Sequence, residues 1–160
     1  MPAARMRVRR GTPLILLVCA MFFLSVVHPS PAAAATGRMK LLRLINATRD
    51  QHDLHLLRLA PSLNDDARRH SRKMIRQGRI FDPRNLDQIL ANVPWDDLGA
   101  ATTGCADSLF ALRRAWIRSD PHREILLHPK LRRVGIGVIR VDGPNHCGRG
   151  ALWVTAIYYG

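Results

Sequence analysis

The run from Leu152 to Tyr159 reads Leu-Trp-Val-Thr-Ala-Ile-Tyr-Tyr and is apolar on both sides of an extended chain. Leu152, Val154, Ala156 and Tyr158 point one way in a strand, and Trp153, Thr155, Ile157 and Tyr159 point the other. Such a strand has to be covered on both faces, so the domain needs material above and below a sheet. In Val134-Gly135-Ile136-Gly137-Val138 one face is branched and the other nearly bare, which lets another element approach the backbone closely. Helices followed by a few late, doubly buried strands predict an α+β fold in three layers.

The helices are legible upstream. Leu41, Leu44, Ile45 and Thr48 recur at three and four residues and predict an amphipathic helix from Arg38 to about Asp53. Leu56 to Leu59 reads as a short extended link. Pro61 and Ser62 then open a second helix that Gly78 closes. Leu63, Ala67, His70 and Met74 share its inner face, so His70 is expected to be a hydrogen-bonded core histidine rather than a metal ligand. The opposite face carries Arg68, Arg69, Arg72, Lys73 and Arg76, a dense cationic surface. Leu86 to Leu90 reads as a short helix and Ala91 to Gly104 as irregular surface chain. Asp107 or Ser108 caps a third long helix through Ile117, with Leu109, Leu112 and Trp116 toward the core. A helical segment restarts at Pro121, capped by Ser119 or Asp120, and places His122 beside unpaired backbone N–H groups. His52, His55 and His128 read as surface residues.

The chain opens with Arg5, Arg7, Arg9 and Arg10, then an apolar run from Leu14 to Val27, then the A-x-A pattern of Ala33 and Ala35. This predicts a secretory signal peptide over residues 1–35 and a mature chain from Thr36. The apolar run is shorter than the roughly 20 residues that cross a bilayer, and Val18 before Cys19 argues against lipidation. Residues 36–160 are expected to form a single domain around one core, with no transmembrane span. The formal charge is +13, of which four belong to those leading arginines, leaving +9 after them. That balance suits an anionic cell-envelope polymer or lipid, and export sets nucleic acid aside. Cys105 and Cys147 remain as an even pair in an oxidising compartment, and a disulfide between them is expected. Neither has the C-x-x-C neighbour that thiolate metal sites use.

Three motifs carry a resemblance. Trp116-x-x-Ser119-x-x-His122-Arg123 is followed by Ile125-Leu126 and by Arg133-Val134-Gly135-Ile136-Gly137-Val138; Asn46-x-x-Arg49 and the L-x-x-x-A-x-x-H-S of Leu63 to Ser71 precede it. From Leu41 to Tyr159 the chain resembles bacterial secreted domains of the CAP superfamily, also called SCP-like domains. The resemblance implies a three-layer αβα sandwich in a secreted protein. It also implies relatives connected with lipid or sterol binding, divalent-cation binding, and host or cell-wall interaction, without an agreed catalytic activity.

The family's four-residue cation constellation includes a histidine just after an aromatic residue, the glutamate of a G-E-N pattern, and the histidine that His122 matches. Here Asp82 follows Phe81, and Gly99-Ala100-Ala101 stands at G-E-N. Alanine can neither ligate nor transfer a proton. His122 and Asp82 are therefore the candidate ligands for a divalent cation such as zinc, magnesium or calcium. Against that, Asp82 before Pro83 can simply initiate a turn, and His122 can simply fix the helix-to-helix corner. Asp96 and Asp97 are close enough in sequence to invite a shifted register. With two members missing, the expectation is a non-catalytic binding module for cell-envelope, lipid or host-surface ligands with a degenerate cation site. No catalytic residue or cofactor is assigned. The alternative is a metal-dependent hydrolase of envelope peptides or glycans, although the chain has no nucleophile elbow and no H-E-x-x-H.

Overall fold

The computed structural model describes residues 31–94 and 98–160. The expected signal segment up to Ser30 lies outside these residues, as do Trp95, Asp96 and Asp97. Strand β4 (Ala151–Tyr159) is buried along its whole length and is flanked on both sides by antiparallel partners, β3 (Arg133–Val141) and β2 (Gly99–Ala106). The two-residue β1 (Arg58–Leu59) adds in parallel to β3, completing the order β1-β3-β4-β2.

The two faces of β4 meet different helices. Leu152, Val154, Ala156 and Tyr158 join a core with α1 (Pro31–Asp50), α4 (Leu109–Arg118) and α5 (Asp120–Leu126), through Leu41, Ile45, Leu112, Trp116 and Leu126. Ile157 and Tyr159 pack instead with Leu63, Ala67 and Leu90 of α2 (Pro61–Gln77) and α3 (Leu86–Leu90). The result is the α+β sandwich in three layers that doubly apolar strands demand.

The element that approaches the bare face of β3 is α2. A methyl group built on Gly135 would lie 2.3 Å from Leu63 Cβ, and one on Gly137 would lie 2.3 Å from the Arg68 backbone nitrogen. At this contact Asn64 Oδ1 accepts from the Ile136 N–H at 2.9 Å, serving a donor that the short β1 does not reach. Pro61 sits in the first turn of α2. At the other end Gly78 adopts a left-handed φ of 62°, with hydrogen bonds from Gly78 N to Ile75 O and from Arg79 N to Met74 O.

Three expectations are corrected. The first helix starts at Pro31 and stops at Asp50, three residues short of the expected end. The chain turns there through Asp53 at φ 53°, the left-handed stop that a glycine usually signals. Leu56 to Leu59 contributes a paired strand, β1. Most consequentially, Gly99 to Ala106 is a strand, where Ala91 to Gly104 reads as irregular chain. Gly-Ala-Ala-Thr-Thr-Gly-Cys-Ala has no apolar alternation, and Thr102 and Thr103 are its only branched residues, so eight residues of register against β4 supply the order instead. Its small residues have a use, because a Cβ at Gly104 would meet Leu112 at 2.8 Å.

Cys105 and Cys147 are disulfide-bonded, with Cα atoms 6.0 Å apart. The bridge ties the end of β2 to the β3–β4 loop. Within that loop Asn145 Oδ1 accepts from the Cys147 N–H and from Trp153 Nε1. For a separation of 42 residues the chain-entropy model gives a stabilisation of roughly 4 kcal/mol.

Candidate functional site

The N-x-x-R pair is a structural fastener. Asn46 pairs with the Leu57 backbone in both directions, donating to its carbonyl and accepting from its N–H at 2.9 Å each, as a strand neighbour would. Arg49 is fully buried, and its guanidinium donates to the carbonyls of His55, Leu126, His128 and Leu131. Two of these lie at or just past the C-terminus of α5, where carbonyls lack helical partners and a cation meets the favourable end of the dipole. No carboxylate pairs with Arg49 among the described residues. Burial, reinforced by Arg132, lowers its pKa.

His122 lies at the start of α5, half-buried, with Nδ1 2.9 Å from Ser119 Oγ and its ring centroid 6.4 Å from that of Trp116. Trp116 in turn donates from Nε1 to Thr103 O, beneath Gly104. Asp82 accepts from Thr103 Oγ1 at 2.8 Å. Adjacent side chains of a strand point to opposite faces, so Asp82 meets β2 on the α2 side while Trp116 and His122 pack on the other. Ala100 packs into the core shared by α1, α4 and α5. The residues present do not fit the family's cation constellation. Among the described residues no three of His, Cys, Asp and Glu are grouped so as to hold a metal ion.

His70 is buried, and its Nδ1 lies 3.1 Å from Thr155 Oγ1, to which Ser71 Oγ also donates at 3.0 Å. The L-x-x-x-A-x-x-H-S spacing thus delivers Leu63 and Ala67 to the α2-side core and His70 and Ser71 to a polar contact with β4. Desolvation, then Lys73, pushes the His70 pKa down, opposed by Asp82. A histidine whose folded pKa is depressed is protonated first in the unfolded chain. It therefore withdraws stability as pH falls below about 6.5, until the folded pKa is reached. Thermal midpoints should fall between pH 7.5 and pH 5, and His70→Asn, which retains an acceptor near Nδ1, should flatten that dependence. An equal slope in the variant would assign the effect to other groups.

The cationic face of α2 is divided. Arg69, Lys73 and Arg76, at i, i+4 and i+7, line a cleft of about 220 Å³ between α2 and the chain that follows it. Arg68 and Arg72 lie on the flanking stripe, with Arg68 half-buried. Across the cleft stand Arg79, Phe81, Pro83 and Arg84, with Ile89 at one side. The Phe81 ring meets His70 edge-on at 5.1 Å, and it lies under the Arg79 guanidinium at 4.9 Å and the Lys73 ammonium at 5.9 Å. Among the described residues only Arg69 of these cations has an ion-pair partner, Asp66. Arg79 and Arg84 are absent from any sequence pattern read above. The signal available was Gly78, whose left-handed turn carries the chain back alongside α2.

The fold and its fasteners define a small three-layer α+β domain. The chain belongs to CAP, the cysteine-rich secretory protein family, whose sequence profile matches residues 42–158. An extracellular SCP-domain protein of Bacillus anthracis superposes with a TM-score of 0.62 at 22% identity, over 81% of this chain and 43% of that one. A cysteine-rich secretory protein of Staphylococcus aureus gives 0.63 at 20%, over 81% and 40%. An outer surface protein of Borrelia burgdorferi gives 0.61 at 17%, over 78% and 92%. The chain thus spans less than half the length of the first two. No curated protein matches it. Among the described residues no helix is long and apolar enough to cross a membrane.

Proposed function

We propose that the chain is an exported, non-catalytic binding domain that takes anionic cell-envelope material, polymer or lipid, on the cationic face of α2. Residues 1–35 direct export in this reading, and the mature domain begins at Thr36. One observation carries it: of Arg68, Arg69, Arg72, Lys73 and Arg76, only Arg69 has an ion-pair partner among the described residues. The charge of that face is therefore left for something outside the domain. Ala100 and Ala101, which supply no ligand or proton where the family carries glutamate and asparagine, are why binding is preferred to metal-dependent hydrolysis.

Reversing Arg68, Arg69 and Arg72 to glutamate tests the reading. A cation near an anionic membrane contributes about 1 kcal/mol, so losing three should by itself weaken binding to anionic vesicles roughly 100-fold, and the three added carboxylates, repelled by the surface, should weaken it further. Unchanged binding by a folded triple variant would remove the proposal.

A further inference from the structure

The cleft beside α2 has a chemistry narrower than general attraction to anions. Five cations, Arg69, Lys73, Arg76, Arg79 and Arg84, line a space of about 220 Å³, and Asp66 is the one acid among its lining residues. Asp66 is engaged by Arg69, so Lys73, Arg76, Arg79 and Arg84 are left without an ion pair among the described residues. Like charges gathered in a concave site repel one another until a counter-charge enters, and a multiply charged anion relieves several of them at once.

The kinds of cation specify the anion further. Arginine presents a planar fork of donors that matches two oxygens of a phosphate, and lysine adds a compact point charge. Arg79 and Lys73 each lie within cation–π distance of the Phe81 ring, which ties both cations to one aromatic side chain of the cleft before any ligand arrives. Arg79 is further fixed by its backbone hydrogen bond to Met74 O at the end of α2. The rest of the lining is His70, Gln77 and Asn85 together with Phe81, Pro83 and Ile89, polar groups and apolar surface that suit the hydroxyls and carbon skeleton of a short polyol or sugar. A single carboxylate uses few of these donors, whereas a phosphate ester uses both the cationic rim and the apolar wall.

We infer that this cleft is a phosphate-ester subsite, taking a phosphate group carried on a short polyol or sugar. The inference rests on the proposed binding function and names its ligand class. The phosphate can come from a lipid headgroup or from a polyol-phosphate polymer, and the chemistry recognised is the same.

The test is calorimetric titration of the protein with glycerol 3-phosphate, against sulfate and citrate at equal ionic strength, in wild type, Arg79→Gln/Arg84→Gln and Arg68→Gln/Arg72→Gln. The expected result is one site per chain, with glycerol 3-phosphate at least tenfold tighter than sulfate or citrate. That preference should be lost in Arg79→Gln/Arg84→Gln and kept in Arg68→Gln/Arg72→Gln. Arg79 and Arg84 are exposed, so folding should be unaffected, and thermal midpoints check this. Vesicles containing phosphatidic acid and a soluble poly(glycerol phosphate), competed with glycerol 3-phosphate, then distinguish the two sources; competition in either arm supports the subsite. Equal affinity for the three anions, or binding indifferent to Arg79 and Arg84, would overturn it. If vesicle binding then persists and depends on Arg68 and Arg72, the broader function stands without the subsite. If vesicle binding is absent too, both fail.

Discussion

Replacing Arg49 by alanine is expected to cost at least about 3 kcal/mol of stability, because charge-assisted hydrogen bonds contribute about 1.5–3 kcal/mol each and their buried partners would be stranded. Four carbonyls, from His55, Leu126, His128 and Leu131, depend on this one side chain. For a domain with a total stability of about 5–15 kcal/mol, that loss removes much of the margin. Arg49→Lys should fall between wild type and alanine. Its donors sit on one nitrogen and cannot span carbonyls that the guanidinium reaches from three. Urea unfolding measures the difference, with the exposed Arg43→Ala as the neutral reference. A loss under 1 kcal/mol in Arg49→Ala would mean that water replaces the guanidinium and that the fastener is dispensable.

Gly137→Ala is expected to be at least as damaging, although it adds one methyl group. The added carbon would sit 2.3 Å from the Arg68 nitrogen and 2.4 Å from the Ala67 carbonyl carbon, both backbone atoms of α2. Side-chain rotation cannot relieve a clash with backbone, so α2 must lift away from β3. That movement strains the hydrogen bonds of Asn64 to Ile136 N and of Ser71 to Gly137 O. Overpacking usually costs about 1–3 kcal/mol, and a rigid obstacle places this case at or above the upper end. Gly143→Ala is the control, since nothing lies within 4 Å of its added methyl group. Comparable midpoints for the two variants in thermal unfolding would show that the helix-to-strand contact is looser than these distances imply.

How far the sequence reads ahead of the structure depends on where each partner lies. The doubly apolar β4, the bare face of β3, the inner stripe of α2 and the cysteine pair are stated by local pattern alone, and all appear as patterned. Strand β2 is invisible because its order comes from β4, about 50 residues later, and not from its own composition. Asn46 and Arg49 stand out only through resemblance. Three of the carbonyls that give Arg49 its purpose are 77, 79 and 82 residues away. The cationic stripe of α2 is legible as a helical face. The cleft it borders is not, since Arg79 and Arg84 join it only through the turn at Gly78. Asp82 and His122 are named by alignment with the family, whereas their contacts, Asp82 with Thr103 and His122 with Ser119 and Trp116, are visible only in the structure.

The measurement that decides between a cationic binding face and a metal centre is affinity for anionic vesicles across a series of salt concentrations, with and without chelator, for wild type and His122→Ala. Binding through Arg68, Arg69, Arg72, Lys73 and Arg76 should weaken steeply as salt screens the charges, and should be the same with chelator and in the variant. Binding that resists salt but is lost on chelation or in His122→Ala would contradict that result. It would place the function on the side of the sheet where His122 lies.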